Sequence, residues 1–267
     1  MILHQTLERA RPGTREVRKP QFVGHVTDLI VPDAGSPAPR PQAFLVEQSA
    51  HWTLPTHFHV EHQFQLFVAG GGTIGKRPVE PLDVHYASPH SGYGPLISAG
   101  EGISYLTLRA VGDTGAWYLP EEREKNLRIP KVQAHGAPQD RASSQALAAL
   151  ASPTTQALIA PTEDGPAAWL LRLGAGQRLA QPDGQADSGG RFLVVTRGGL
   201  HLDGGQVDAL AVAWLDASET LVLHAGAQGL EAVVLQFPRQ AAQSFAEGSR
   251  SEAAGQPPSE ATLQSSK

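Results

Sequence analysis

The stretch "HFHVEHQFQLFVAGGG", residues 57–72, decides the fold predicted for this chain. Three histidines and a glutamate crowd into its first six positions, and an apolar run and three glycines follow. In a β-strand, side chains two positions apart point to the same face, so His57 and His59 can converge on one point inside a barrel. A tight turn at 60–62 then brings Gln63 back on the neighbouring strand.

The strand after this turn has two different faces. Alternation along a strand separates Gln63, Gln65 and Phe67 from Phe64, Leu66 and Val68. The glycines at 70–72 are expected to form the next β turn, where a positive φ costs little. The following "TIGK" lacks the spacing of a phosphate-binding loop, so these glycines do not indicate nucleotide binding.

The spacing of these residues resembles the first conserved motif of the cupin superfamily. That motif reads His-x-His, three or four residues, Glu, six residues, Gly. His57 and His59 form the histidine pair, Gln63 stands in the glutamate slot, and Gly70 closes the motif. The resemblance implies a metal centre on His57, His59 and Gln63, with Fe, Zn, Mn or Ni as candidate ions. Glutamine in place of glutamate leaves such a site one charge more positive.

The second cupin motif is represented by "PLDVHYASPHSGYGPL", residues 81–96. By register, Tyr93 falls where the family has its last histidine, so the third histidine ligand is missing from its usual place. His85 on the strand and His90 in the following loop are candidate replacements, and Tyr93 can itself supply an oxygen. Together with Tyr105, these residues are the candidates for ligand binding near the metal.

The two halves of the chain also echo each other. A nearly constant offset of 125, 128 and 127 residues relates three pairs of blocks and indicates a tandem repeat. The blocks are 43–54 with 168–179, 64–74 with 192–202, and 102–108 with 229–235. The runs are short and rich in β-branched and aromatic residues, and the resemblance covers both halves. The predicted fold is therefore all-β: two tandem cupin jelly-roll β-barrels, a bicupin, with a short connecting helix.

The chain is expected to have five segments. They are an N-terminal arm (1–20), an N-terminal barrel with the metal or ligand site (21–115), a linker with a short helix (116–160), a degenerate C-terminal barrel (161–240) and a disordered tail (241–267). The second copy has no histidine pair, and Arg191 falls opposite Gln63. That copy is expected to have a structural role only.

Composition narrows the function further. The chain has 267 residues and no cysteine, which excludes disulfides, thiolate ligands and thiol catalysis. A formal net charge of -5 does not indicate the basic surface of a nucleic-acid-binding protein. No apolar run reaches the ~18 residues of a membrane span, and the charged N-terminus lacks the apolar centre of a signal peptide. We therefore expect a cytoplasmic homodimer with a small-molecule ligand and with neither a nucleic-acid nor a membrane partner.

Other polar residues have simpler interpretations. Glu61 and His62 occupy the spacer turn and are expected to be mostly solvated, and His90 is expected to be exposed in its loop. Arg109 ends the strand "ISYLTLR". It can clamp a carboxylate there, but a solvated strand end is the simpler expectation.

Two functions of different classes follow. The resemblance implies a metal-dependent enzyme on a small organic molecule, and dioxygenase chemistry leads over isomerase, decarboxylase and lyase chemistry. On this hypothesis His57 and His59 hold the ion, and Gln63 is either the third ligand or a residue that supports the ligands without touching the ion. A nearby tyrosine or histidine orients the substrate. The rival is a noncatalytic cupin that binds or senses a sugar or an organic acid. The missing histidine and the substituted glutamate favour the rival, and whether the chain is an enzyme stays open at this stage.

Overall fold

The computed structural model describes residues 2–32, 41–113, 115–182, 188–202 and 204–243. Two large antiparallel sheets form the body of the molecule, with a third, two-stranded sheet beside the first. Most of the predicted tail, from residue 244 onward, lies outside the described residues. In the described part, no helix has the length and apolar composition needed to cross a membrane.

The first sheet has nine strands in the order β12-β9-β7-β10-β4-β3-β2, with β5 and β8 attached to β10 and β7. Its strands are β2 (Arg15–Lys19), β3 (Phe22–Ile30), β4 (Gln42–Gln48), β5 (Thr53–Leu54), β7 (Gln63–Ile74), β8 (Arg77–Val79), β9 (Val84–Ala87), β10 (Leu96–Arg109) and β12 (Gln133–Gly136). The small third sheet joins β6 (His57–Phe58) to β11 (Trp117–Tyr118).

The second sheet has eight strands in the order β1-β18-β16-β19-β14-β13, with β15 and β17 attached to β19 and β16. Its strands are β1 (Ile2–Gln5), β13 (Thr154–Ile159), β14 (Ala167–Leu173), β15 (Arg178–Ala180), β16 (Arg191–Leu202), β17 (Gly205–Asp208), β18 (Val212–Leu215) and β19 (Val222–Gln236). The short helices are α1 (Leu7–Ala10) and α2 (Ser144–Ala148), and single 3-10 turns span Arg11–Gly13, Arg123–Lys125 and Arg239–Ala242.

The strand order confirms the tandem repeat. β4, β7, β9 and β10 occupy the places in the first sheet that β14, β16, β18 and β19 occupy in the second. The register agrees as well, since Leu66 faces Leu106 in one copy and Val194 faces Val233 in the other. Two copies of one antiparallel barrel therefore lie in tandem, and α2 lies in the connection between them.

Each sheet is completed by a strand from outside its own barrel. β1, in the predicted arm, pairs with β18 of the second sheet, and β12, in the predicted linker, pairs with β9 of the first. β13, also in the predicted linker, pairs with β14. The segments predicted as arm and linker thus supply edge strands of four to six residues, and their sequences show no apolar alternation.

The two sheets pack face to face through one apolar layer. Phe64 on β7 contacts the ring of Phe237 at 4.9 Å between centroids, and Phe192 contacts Trp214 at the same separation. Phe64 and Leu66 belong to this layer, whereas Phe67 faces the interior of the first barrel. The predicted alternation along β7 is therefore confirmed.

The interiors of the two barrels differ in chemistry. Leu193 and Val195 occupy the places in the second barrel that Gln65 and Phe67 occupy in the first, and the second interior is a continuous apolar cluster. Arg191 donates hydrogen bonds to the carbonyl oxygens of residues 217 and 219. The cavity of the first barrel is lined by His57 and His59, whereas that of the second barrel is only about 10 Å³ and is lined by apolar residues and His4.

The glycines at 70–72 are not a turn, and that prediction is wrong. β7 continues to Ile74, and the turn falls at Gly75, which has φ 59°. Gly70 and Gly72 lie where β10 approaches closely, because a Cβ on either would overlap a carbonyl oxygen of that strand. Both glycines leave space between the strands, and Gly70 also has the positive φ that was expected, at 67°, although it lies within the strand and not in a turn.

Candidate functional site

The histidine pair and Tyr93 are brought together by backbone pairing. His57 N donates to Tyr93 O at 3.1 Å, and Tyr93 N donates to His57 O at 3.0 Å. The His57 and His59 rings lie perpendicular, with centroids 5.3 Å apart. Tyr93 therefore stands beside the pair, at the place that register assigns to the missing third histidine.

A chain of hydrogen bonds, here named the relay, runs from Arg109 to the backbone. Arg109 Nε and Nη2 donate to Gln63 Oε1 at 3.0 and 2.6 Å. Gln63 Nε2 then donates to the Tyr93 hydroxyl at 2.7 Å, which lies 3.0 Å from His57 Nε2. The chain ends 2.8 Å from His57 Nδ1, at Pro55 O.

The two ends fix the direction of every bond in the relay. A guanidinium only donates and a carbonyl oxygen only accepts. Gln63 must therefore turn its oxygen to Arg109 and its amide N–H to Tyr93. Tyr93 donates its proton to His57 Nε2, and His57 Nδ1–H donates to Pro55 O. Burial, with His59 nearby, lowers the pKa of His57 to about 3, so this ring is neutral near pH 7.

His59 is held in the same tautomer by different partners. Its Nδ1 lies 2.5 Å from Asp113 Oδ2 and 3.0 Å from Gly115 O, and both are acceptors. Nδ1 therefore carries the proton. Arg109 Nη2 lies 3.2 Å from Nδ1 and 3.4 Å from Nε2, and of these two nitrogens only Nε2 can accept from it. Burial and the charge of Arg109 lower the pKa of His59, while Asp113 opposes the shift.

Arg109 is not a solvated strand end, and that expectation is wrong. Its side chain is buried, and its Nη1 donates to Gln42 Oε1 at 2.6 Å. Its Nη2 lies 3.8 Å from Asp113 Oδ2, which makes an ion pair. Burial lowers the pKa of Arg109, and Asp113 opposes that shift. Arg109 lies two and four positions after Thr107 and Tyr105, so strand alternation was the signal that it shares their inward face.

These residues do not fit the three-ligand metal centre that the resemblance implies. Arg109 holds the oxygen of Gln63 and turns its N–H toward Tyr93, and Tyr93 donates to the His57 Nε2 lone pair. Only His59 Nε2 faces the interior without a protein O–H, and there the guanidinium of Arg109 approaches it. Among the described residues, no group of three His, Asp or Glu side chains is placed to hold a metal.

A cavity of about 150 Å³ opens beside the relay at the mouth of the barrel. Arg109 is the one charged residue among the described residues of its wall, which also carries Tyr105, Thr107 and Tyr118. Phe22 and Phe44 supply apolar surface. Tyr105 thus lies where the sequence predicted a ligand-binding residue, whereas Thr107 and Tyr118 were missed because a lone hydroxyl on a strand or loop carries no motif.

His85 lies behind Tyr93, outside the cavity wall. Its Nδ1 is 2.9 Å from Gln65 Oε1, and its ring stacks on His135 with centroids 4.6 Å apart. The Tyr93 ring packs against it at 4.8 Å. Burial, with the nearby His135, lowers the pKa of His85 to about 3.

His85→Gln is expected to reduce the loss of stability that acid causes. The pKa of His85 is about 3 when folded and about 6.5 when unfolded, so the unfolded chain binds more protons between those values. The free energy of unfolding therefore falls as pH drops through this window, by about 1.4 kcal/mol per pH unit for one such histidine. Urea unfolding at several pH values between 7 and 5 measures this slope. An unchanged slope in the variant would count against the prediction.

His90 is buried instead of exposed, which corrects the expectation for its loop. Its Nδ1 accepts from Leu127 N at 3.3 Å, and its ring lies 5.4 Å from that of Phe58. The segment after β11 folds back over the loop and covers it. His90 therefore lies away from the cavity and does not replace the missing third histidine.

Glu61 and His62 are also buried, so the expectation that the spacer turn is solvated is wrong. His62 Nδ1 lies 2.5 Å from the hydroxyl of Tyr86 on β9. Burial lowers the pKa of His62 to about 4, with Asp164 opposing the shift. The turn is covered because it faces the second barrel, a contact that no local pattern predicts.

Comparisons with known proteins support the fold alone. No family model matches the chain, and no curated protein matches it. Solved structures do match, including quercetin 2,3-dioxygenase from Acinetobacter baumannii at 11% identity and TM-score 0.53, covering 95% of this chain and 88% of that chain. The bacterial pirin YhhW from Escherichia coli, in complex with nickel(II), matches at 11% identity and a TM-score of 0.54. That match covers 89% of this chain and 99% of the pirin. Pumpkin seed globulin matches at 10% identity and a TM-score of 0.56, and the match covers 89% of this chain and 85% of the globulin.

These matches and the repeated strand order define the class. The chain has the bicupin fold, with two tandem cupin barrels, and its N-terminal barrel carries the histidine pair. The matched proteins have different functions, so the fold does not name the activity.

Proposed function

We propose that the N-terminal barrel binds a small organic acid without a metal ion. The observation that carries this proposal is the charge of the cavity wall. Arg109 contributes a cation, whereas its counter-ion Asp113 does not line the cavity. Electrostatic complementarity therefore favours an anion in this space.

The hydrogen-bonding capacity of the wall supports the same ligand. Gln42, Gln63 and His59 take four of the five N–H groups of Arg109. The fifth, on Nη1, has no acceptor among the described residues. The hydroxyls of Tyr105, Thr107 and Tyr118 also make no hydrogen bond within the described part of the chain. A carboxylate presents acceptors that suit all of these donors.

A second candidate is a metal-dependent oxidoreductase, the leading hypothesis from the sequence. One observation favours it: His57 and His59 each donate Nδ1–H to an oxygen, as metal-bound histidines do. Two of the matched proteins are a dioxygenase and a pirin in complex with nickel(II). This candidate requires Tyr93 and Arg109 to leave the positions described above.

Benzoate is expected to bind the barrel mouth at least about tenfold more tightly than its neutral isostere benzamide, because only benzoate gains charge-assisted bonds to Arg109. Both ligands are measured in a Val132→Trp background, which is designed to fill the separate cavity between the two barrels. Titration calorimetry measures both affinities. The double variant Arg109→Gln/Asp113→Asn, which removes both charges together, is expected to lose the preference. Tyr105→Phe, which keeps the ring, is expected to weaken benzoate binding by about fivefold.

Metal analysis of the same preparations separates the two candidates. The protein is purified from medium supplemented with iron, zinc, manganese and nickel, as wild type and as His57→Ala. Trace metal that is equal in both supports the metal-free site. One equivalent in the wild type that is lost in His57→Ala would establish the second candidate. Equal affinity for benzoate and benzamide would rule out the acid-binding site.

A further inference from the structure

A second, larger cavity lies between the two barrels, behind the histidine turn. Its volume is about 600 Å³, within the usual range for sites that bind small molecules. His62 and Tyr86 from the first barrel border it, and Asp164, Pro166 and Pro238 border it from the second half of the chain. The cavity is distinct from the one at the barrel mouth, with which it shares no residue.

The buried His62–Tyr86 pair leaves one donor unused in this cavity. If the Tyr86 hydroxyl donates to His62 Nδ1, the proton of His62 sits on Nε2 and has no acceptor within the described part of the chain. If His62 Nδ1–H donates instead, the Tyr86 O–H is left over. Either direction leaves a buried N–H or O–H that favours a ligand with an uncharged acceptor such as a carbonyl oxygen.

The opposite side of the cavity carries negative charge. Asp164 Oδ1 accepts from Arg239 N at 3.1 Å, which fixes the carboxylate in place. None of the described lining residues is Lys or Arg. An anionic ligand is therefore disfavoured, and a ligand that donates an N–H toward Asp164 is favoured.

Between these polar ends the walls are apolar and rigid. Four proline rings, from Pro89, Pro130, Pro166 and Pro238, line the cavity together with Ile129 and Val132. Such surfaces accept a flat ring and lose little conformational entropy when they do.

We propose that the cavity between the barrels binds a neutral aromatic carboxamide-like molecule, whose carbonyl accepts from the His62–Tyr86 pair and whose amide N–H faces Asp164. This site stands apart from the acid-binding site in the barrel mouth. The two sites prefer opposite ligands. The barrel mouth carries the cation of Arg109 and favours an acid, whereas the cavity between the barrels carries the carboxylate of Asp164 and disfavours one.

The probes for the test are 2-naphthamide and 2-naphthoate, which differ in the charge of one group. With the cation of the barrel mouth removed by Arg109→Gln/Asp113→Asn, the protein is expected to bind 2-naphthamide about tenfold or more tightly than 2-naphthoate. The double variant His62→Leu/Tyr86→Phe is expected to weaken 2-naphthamide binding by about three- to tenfold. Asp164→Asn removes the negative charge and is therefore expected to remove the preference for the amide. The oxygen of the new side chain can still accept from Arg239 N, so this contact is kept.

Val132→Trp at the exposed rim is designed to fill the cavity and is expected to abolish binding of 2-naphthamide. Tyr105→Phe, in the barrel mouth, is expected to leave it unchanged. Fluorescence titration of the full chain gives these affinities, and thermal melts establish that each variant is folded. Wild-type affinity in both Val132→Trp and His62→Leu/Tyr86→Phe would overturn the proposal. So would absence of saturable binding to wild type, or loss of binding in Tyr105→Phe alone. Benzoate binding is scored separately, so either site can fail without the other.

Discussion

Arg109→Gln is expected to lower the free energy of unfolding by about 3–5 kcal/mol. The side chains of Arg109 and Asp113 are 4% and 0% exposed, so removal of the guanidinium leaves the carboxylate buried without its positive partner. Gln63 also loses the donors that orient its amide, and the relay loses its fixed direction. Urea unfolding followed by circular dichroism measures the change.

Two controls test that this cost comes from the buried charge. Arg109→Gln/Asp113→Asn removes both charges and is expected to recover part of the stability lost in the single variant, giving a measurable coupling energy. Arg141→Gln breaks ion pairs to Asp83 and Glu80 on the surface and is expected to cost less than about 1 kcal/mol. A single variant Arg109→Gln as stable as Arg141→Gln would contradict the prediction.

Phe237→Ala is expected to cost about 3–5 kcal/mol and to weaken both barrels together. Phe237 is fully buried and packs on Phe64 from the first barrel and on Phe192 from the second. Its loss opens a hole in the layer that the two sheets share. The free energy of unfolding again comes from urea titration.

Hydrogen exchange resolves which sheet is affected. Peptides from β7 and from β16 are both expected to lose protection in Phe237→Ala. Val222→Ala, at a strand position that is 60% exposed, is expected to stay within about 0.5 kcal/mol of wild type. Loss of protection confined to β16 would mean that the barrels are stabilised independently.

The parts of the fold that repeat in sequence were the parts that could be predicted. The offset between the halves and the alternation of Gln63 to Val68 are local or periodic patterns, and strand geometry converts them directly into the paired barrels. The edge strands β1 and β12 were not predicted because each has only four residues and no apolar alternation. They are stabilised by pairing with distant partners, which no local propensity records.

The site was predictable in position but not in chemistry. Register brought His57, His59, Gln63 and Tyr93 together as expected. What these residues do depends on Arg109, which reverses the role of Gln63 from ligand to donor toward Tyr93. The long-range contacts of Arg109 with Gln42 and Asp113 decide this, and a single sequence gives no distance between such residues.

The exchanged positions of arginine and glutamine in the two barrels restrict how one copy can have diverged from the other. The first barrel has Gln63 on β7 and Arg109 on β10, whereas the second has Arg191 and Gln236 at the matching places, paired across the strands. Conversion between these arrangements by single substitutions passes through a barrel with either two guanidinium groups or two amides at these places. Like charges on facing strand positions are destabilising, and more so where water is excluded. The amide pair avoids this repulsion, so a duplicated barrel can pass through it and remain folded where no carboxylate such as Asp113 is buried beside it.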